Sequence, residues 1–303
     1  MKKMILAAVP LILLLVLSTI SFVSATSKVV FEMGDPVGDD NGPGTYVYPT
    51  GDDFASPGAF DFTHFKVSTD ENYVVFEFTY VTLGDNPWGA GYGFSLQYQH
   101  VYIDKDRKSG SGSENTYGAN LRVDPADAWE VALVIGPDPT WNPPGPNGVY
   151  VYDFARDNMT TYHGSIMIEN KDNSVIAKVP ITEIGEPTDE WAYTVITGPW
   201  DTGHFRAVGI EPDTWTCGGA NTDALASGVA PLAFDILVPK GMDQATVLKS
   251  YDVDATPPTF ATVHAVSLAT EAPASQLPLS TLAIIGGVIV AIIVVATVIV
   301  KRR

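Results

Sequence analysis

Asp35, Asp39 and Asp40, with Asn41 beside them, fall inside one glycine- and proline-rich stretch, DPVGDDNGPGTYVYPT, residues 35–50. Carboxylate and amide oxygens at that density suit a hard divalent cation such as Ca²⁺, which gathers about six to eight oxygen ligands. Gly38, Gly42 and Gly44 let the backbone curl so that carbonyls can join them. The spacing is not that of an EF-hand loop. An Asp/Gly turn closed by side-chain-to-backbone hydrogen bonds accounts for the same residues without metal, and both readings stand at this point. Asp61 lies between Phe60 and Phe62, where a carboxylate is poorly hydrated and needs a partner. A second acidic group, Asp104-Lys105-Asp106, is followed by Arg107 and Lys108 and reads as a hairpin turn that carries its own cations.

A different chemistry is available to the tryptophans. Sugar rings stack their C–H faces on indoles while neighbouring polar groups bond the hydroxyls, as in other largely apolar sites with a few polar groups. Trp88 in NPWG and Trp200 in GPWD form the best pair, with Asp201 and Gln97 as hydrogen-bonding partners; Trp141 and Trp215 also lie outside the expected strands. The same rings serve equally as lids over the ends of a β-structure, and Gln97 equally as a core amide. A glycosidase needs two carboxylates facing each other across a cleft, and no motif pairs any here, so no catalytic residue is assigned. Haem ligation would draw on His64, His100, His163, His204 or Met33; a lone strand histidine is more often a hydrogen-bonded side chain.

The elements that must position these groups are strands. Residues 72–82, NYVVFEFTYVT, put Val74, Phe76, Phe78 and Tyr80 on one face. Further strands are expected near 28–33, 60–68, 95–104, 129–135, 149–154, 162–169, 174–179, 191–197 and 232–238. In FDFTHFKV the pairs Phe60/Phe62 and Phe65/Val67 have opposite parity, which a bulge reconciles. A helical turn is expected after Pro180. Short strands punctuated by Gly, Pro, Asn and Asp predict an all-β, two-sheet antiparallel sandwich over residues 28–254.

The ends of the chain have another composition. Lys2 and Lys3, an apolar run and Val23-Ser24-Ala25 read as a signal peptide over residues 1–25. Residues 255–276, rich in Ala, Thr, Ser and Pro, read as a stalk. Residues 277–300 carry no charge and are long enough for a transmembrane helix, and the basic tip 301–303 is expected in the cytoplasm. The expected location is therefore the cell membrane, single-pass, with the β-domain extracellular. Of the 17 Lys and Arg, five sit at these ends, leaving 12 cations against 35 carboxylates. Nucleic acid is excluded as a partner on charge. Cys217 is the one cysteine, so no internal disulfide forms. Asn158-Met159-Thr160 is the one N-glycosylation sequon, making Asn158 the candidate acceptor.

Three blocks, DPVGDDNGPGTYVYPT, PGAFDFTHFKV and NPWGAGYGFSLQYQHVYID, closely resemble the C-terminal module of glucodextranase. That module is related to family 9 carbohydrate-binding modules and DOMON-type β-sandwiches, and similar modules occur in archaeal surface proteins. The match is dense over residues 35–104 and looser beyond. The resemblance implies a non-catalytic module that binds a polysaccharide or the cell surface. It also implies structural calcium, carried here to Asp35, Asp39, Asp40 and Asp61. The chain lacks glucodextranase's catalytic domain, so hydrolase activity does not transfer. The expected function is a membrane-anchored, calcium-stabilised carbohydrate-binding or surface-attachment module; the alternatives are a structural adhesion protein and a haem-binding electron carrier.

Overall fold

The structure, a computed structural model, describes residues 27–137, 149–153, 158–161 and 166–268. The expected signal peptide, the transmembrane segment, the basic tip, Trp141 and His163 lie outside the described residues, as does the side chain of Asn158. Among the described residues no helix is long and apolar enough to cross a membrane.

Two antiparallel sheets carry the fold. The first comprises β1 (Lys28–Gly34), β2 (Phe62–Thr69), β3 (Tyr73–Tyr80), β9 (Met167–Lys171) and β10 (Ser174–Pro180), ordered β1-β2-β3-β10-β9. The second is built on β4 (Gln97–Asp104), β6 (Val131–Ile135), β7 (Val149–Asp153), β8 (Asn158–Thr161), β11 (Ala192–Asp201) and β12 (His204–Phe205), in the order β12-β11-β4-β6-β7-β8. Its seventh strand, β13 (Asp235–Ile236), pairs with β11. Period-2 alternation places Val74, Phe76, Phe78 and Tyr80 in the core, as the sequence pattern requires. The parity conflict in β2 is resolved by a register shift between Phe62 and His64. Across the sandwich, the Phe31 and Phe65 rings meet Tyr193 of the facing sheet at 5.1 and 5.7 Å between centroids. Burying one such ring stabilises the fold by about 1.5–3 kcal/mol. The helical turn after Pro180 is present as Ile181–Ile184.

The second sheet is covered on its other face as well. β4 is buried along its whole length: Val101 and Ile103 point into the sandwich, while Tyr98 and Tyr102 join an outer cluster with Trp129, Phe205 and Leu248. This outer layer includes a short parallel pair, β5 (Leu121–Val123) with β14 (Ala261–Val263). Val266 then forms an isolated bridge to Tyr193. These residues were expected in the stalk. Instead Ala261, Val263, Ala265, Val266 and Ser267 are all buried, so the domain continues through Ser267. Composition misleads here because small residues are what fit beneath a crowded layer.

Candidate functional site

The acidic segment folds back on the end of the sandwich. Asn41 O accepts from the N–H groups of Gly44, Thr45 and Tyr46 at 2.9–3.1 Å, which closes a tight turn. Gly42 stands at φ +57° with the Tyr46 ring where a Cβ would be, so only glycine fits. Tyr46 anchors the turn by donating to Pro231 O at 2.6 Å. Tyr48 donates to Asp40 Oδ2 and accepts from Phe60 N–H at 3.0 Å. Asp61 Oδ2 accepts from Gly38 N–H at 2.8 Å, tying the loop to the start of β2.

The turn brings carboxylates together. One oxygen from each of Asp35, Asp39 and Asp235 lies within 4.8 Å of the other two. Asp235 is fully buried; its Oδ2 accepts from Phe62 N–H at 2.8 Å. Asp35 Oδ2, Asp39 Oδ1, Asp61 Oδ1 and Asp235 Oδ1 are all buried with no hydrogen-bond donor. Burial, then the charge of Asp39, pushes the Asp35 carboxyl up to about 8. Burial also raises Asp39, and raises Asp61 to about 6. Asp235 is raised strongly by burial and then by Asp35. Carboxylates shifted this way, with oxygens aimed at one another, are short of positive charge. An all-oxygen donor set of this kind fits a hard cation such as calcium.

Of the four expected ligands, Asp35 and Asp39 are in the trio and Asp61 stands beside it. Asp40 turns to Tyr48 instead. Asp235 was not anticipated. Its signal was present: a single acid inside the apolar run Leu232-Ala233-Phe234-Asp235-Ile236-Leu237-Val238 must have a partner.

A second site lies where the β11–β12 hairpin turns. Trp88, Trp200, Asp201, Thr202, Arg206 and Trp215 line a cleft of about 360 Å³. Thr202 and Gly203 both have positive φ, +46° and +92°, the geometry of a two-residue hairpin turn. That turn places Asp201 and Thr202 on the rim. Trp200 is within β11 and only 2% exposed, rather than in a loop. Trp88 is half-buried; its ring lies 5.9 Å from that of Trp200, and its Nε1 donates to Asp53 Oδ2 at 2.8 Å. Trp215 is 52% exposed, on a turn closed by Asp213.

Arg206 holds this arrangement. Its guanidinium donates to Trp200 O and Trp215 O, each at 2.8 Å. It also lies over the rings of Phe54, Trp88 and Trp215 at 4.8, 5.7 and 6.0 Å. Burial lowers its pKa while Asp201, 3.6 Å away, opposes the shift. The cation is thereby enclosed by carbonyls and indoles; Trp88 is partly exposed and Trp215 half-exposed, while Trp200 is buried behind them. Arg206 was missed in the sequence, although it is one of few cations in an acidic chain and lies between two of the tryptophans.

Gln97 does not reach the cleft. It is fully buried on β4 and donates to Ala59 O and Leu83 O at 2.8 and 3.1 Å, the core-amide role. Two of the histidines have other neighbours. His100 is buried against Tyr98 and Phe205, with Nδ1 2.8 Å from Tyr102 Oη. His204 is exposed beside Asp201 O. Met33 packs on the sandwich core.

No curated protein matches the chain. Residues 30–264 match the family model described as the C-terminal binding-module, SLH-like, of glucodextranase. That span covers both the acidic turn and the tryptophan cleft and most of the chain, and the protein belongs to this family of binding modules.

Proposed function

We propose that this protein is a non-catalytic, exported module that binds glycan or attaches to a cell surface, held at the cell membrane by residues 277–300. The tryptophan cleft is its recognition site. The observation that carries this reading is the meeting of three tryptophans around an arginine whose two terminal nitrogens are bonded to backbone carbonyls, with Asp201 and Thr202 on the rim. Exposed indole faces beside a few polar groups suit a pyranose better than a charged or extended peptide ligand. Asp201 is the one carboxylate that lines the cleft, so the carboxylate pairing of a glycosidase has no support here.

In the same reading, a divalent cation, calcium in the first place, is held by Asp35, Asp39 and Asp235 with Asp61 alongside. It supplies the positive charge that four buried, donor-less oxygens call for. The protein's own contribution is to pin the acidic segment over Phe60 and Phe234 through Tyr46 and Tyr48.

The test is affinity electrophoresis of the full-length protein in gels containing soluble α- and β-glucans. Trp88→Ala and Trp215→Ala should each weaken retardation about tenfold with little change in melting temperature, since both rings are partly exposed. Trp200→Ala should also lower stability, because that ring is buried. Absence of retardation on every glucan, together with self-association, would replace the glycan reading with that of a structural adhesion protein.

A further inference from the structure

A cavity of about 370 Å³ is lined by Pro43, Thr45 and Tyr46 of the acidic turn and by none of its carboxylates. Pro43, Tyr46, Pro231 and Tyr251 form its apolar walls, and Lys249 and Asn221 contribute polar groups. Tyr46 cannot contribute its hydroxyl, which is already bonded to Pro231 O. Asn221 uses Oδ1 to cap the helix Thr222–Ala226, accepting from Asp223 and Ala224 N–H at 3.0 Å, and this leaves its amide N–H₂ as a donor. Lys249 Nζ lies over Gly44, 3.6 Å from where a Cβ would stand, and makes no hydrogen bond or ion pair among the described residues. Its charge reaches Asp243 only through space.

Two features set this cavity apart. Lys249 and Asn221 offer donors, Thr45 has its hydroxyl spent on Gly219 O, and no Asp or Glu lines the cavity, in a chain with 35 acidic residues. A ligand that bears a carboxylate on a ring would answer both: the ring between Tyr46 and Tyr251, the anion on Lys249 and Asn221 through charge-assisted hydrogen bonds. A neutral sugar would gain no charge-assisted bond from the exposed ammonium, and a cation would be repelled.

We propose that this cavity is a second ligand site, distinct from the tryptophan cleft, and that it takes a carboxylate-bearing sugar residue. The sugar half of the proposal rests on reading the chain as a glycan-binding module; the carboxylate half rests on the cavity alone.

Glucuronate and glucose serve as probes in calorimetric titrations of the full-length protein. Glucuronate should bind, more weakly as salt is raised, and glucose should not displace it. Lys249→Gln, a change at an exposed side chain, should weaken glucuronate binding at least tenfold. Trp88→Ala should leave it unchanged. Failure of glucuronate to bind, equal binding by Lys249→Gln, or loss of binding in Trp88→Ala would each overturn the proposal. Failure of the glycan reading would register separately, as glucan retardation that is absent or indifferent to Trp88.

Discussion

Asp35, Asp39 and Asp235 at one end of the domain, and Asp104, Asp106 and Glu130 at another, are two trios of carboxylates, each with one oxygen per residue within 4.8 Å of the other two. Their surroundings differ. Asp104 Oδ1 accepts from the N–H groups of Asp106 and Arg107 at 3.2 and 2.7 Å, and the Arg107 guanidinium reaches both Asp104 and Asp127 at 3.8 and 3.5 Å. Asp106 pairs with Lys108 at 3.0 Å, and Glu130 accepts from Lys105 N–H and Ser111 Oγ, each at 2.7 Å. The second trio thus carries its counter-charge in the adjoining sequence. Among the described residues the first has the Phe62 N–H as donor to Asp235 Oδ2 and no ion pair with a cationic side chain. Asp104 Oδ2 is also buried without a donor, and burial raises its carboxyl to about 6, so the contrast lies in the nearby cations rather than in burial.

The largest effect that would sharpen this comparison is thermal. Calcium at about a thousand times its dissociation constant should stabilise by about 4 kcal/mol, or about 10 °C for a domain of this size. Equal melting curves in calcium and in chelator would break the contrast between the trios. Asp235→Asn should come next. In calcium it should melt well below the wild type, whereas in chelator at pH 8 it should melt above it, because one of two facing buried carboxylates is gone. If both effects have the same sign, Asp235 acts only through its bond to Phe62.

The pH dependence follows from the raised carboxyls. With Asp35 titrating near 8 in the folded chain and near 4 when unfolded, the folded form holds the extra proton between those values. Stability in chelator should therefore fall as pH rises from about 4 to 8; in calcium, which favours the ionised form, that fall should disappear. Urea titrations at intervals across this range would read it. The smallest effect belongs to the second trio. Arg107→Ala should cost about 1 kcal/mol, since the arginine is a third exposed and Asp104 keeps its backbone donors, and calcium should not alter that cost.

The sandwich was legible wherever one face of a strand meets the core, as in β3, and even the β2 bulge could be read from its parity. The outer layer was not. β5 is three residues long and β14 sits in a composition typical of linkers, so neither produces a period. The acidic turn announced itself through local density, but its deepest carboxylate comes from a strand some two hundred positions later, which spacing within one segment cannot reveal. Trp200 was assigned to a loop because Gly198-Pro199 precedes it, yet β11 tolerates both residues and Trp200 N–H bonds Leu96 O at 2.7 Å. The cleft was half visible: its rings were in view, whereas the arginine that orders them was not.

The bridge between Val266 and Tyr193 has a mechanical consequence. Val266 exchanges two backbone hydrogen bonds of 2.9 Å with Tyr193, a residue on a central strand of the second sheet whose ring meets Phe31 and Phe65 of the first. Any pull on the chain beyond this point enters the domain through that clasp and spreads across both sheets, before it reaches the acidic turn or the tryptophan cleft.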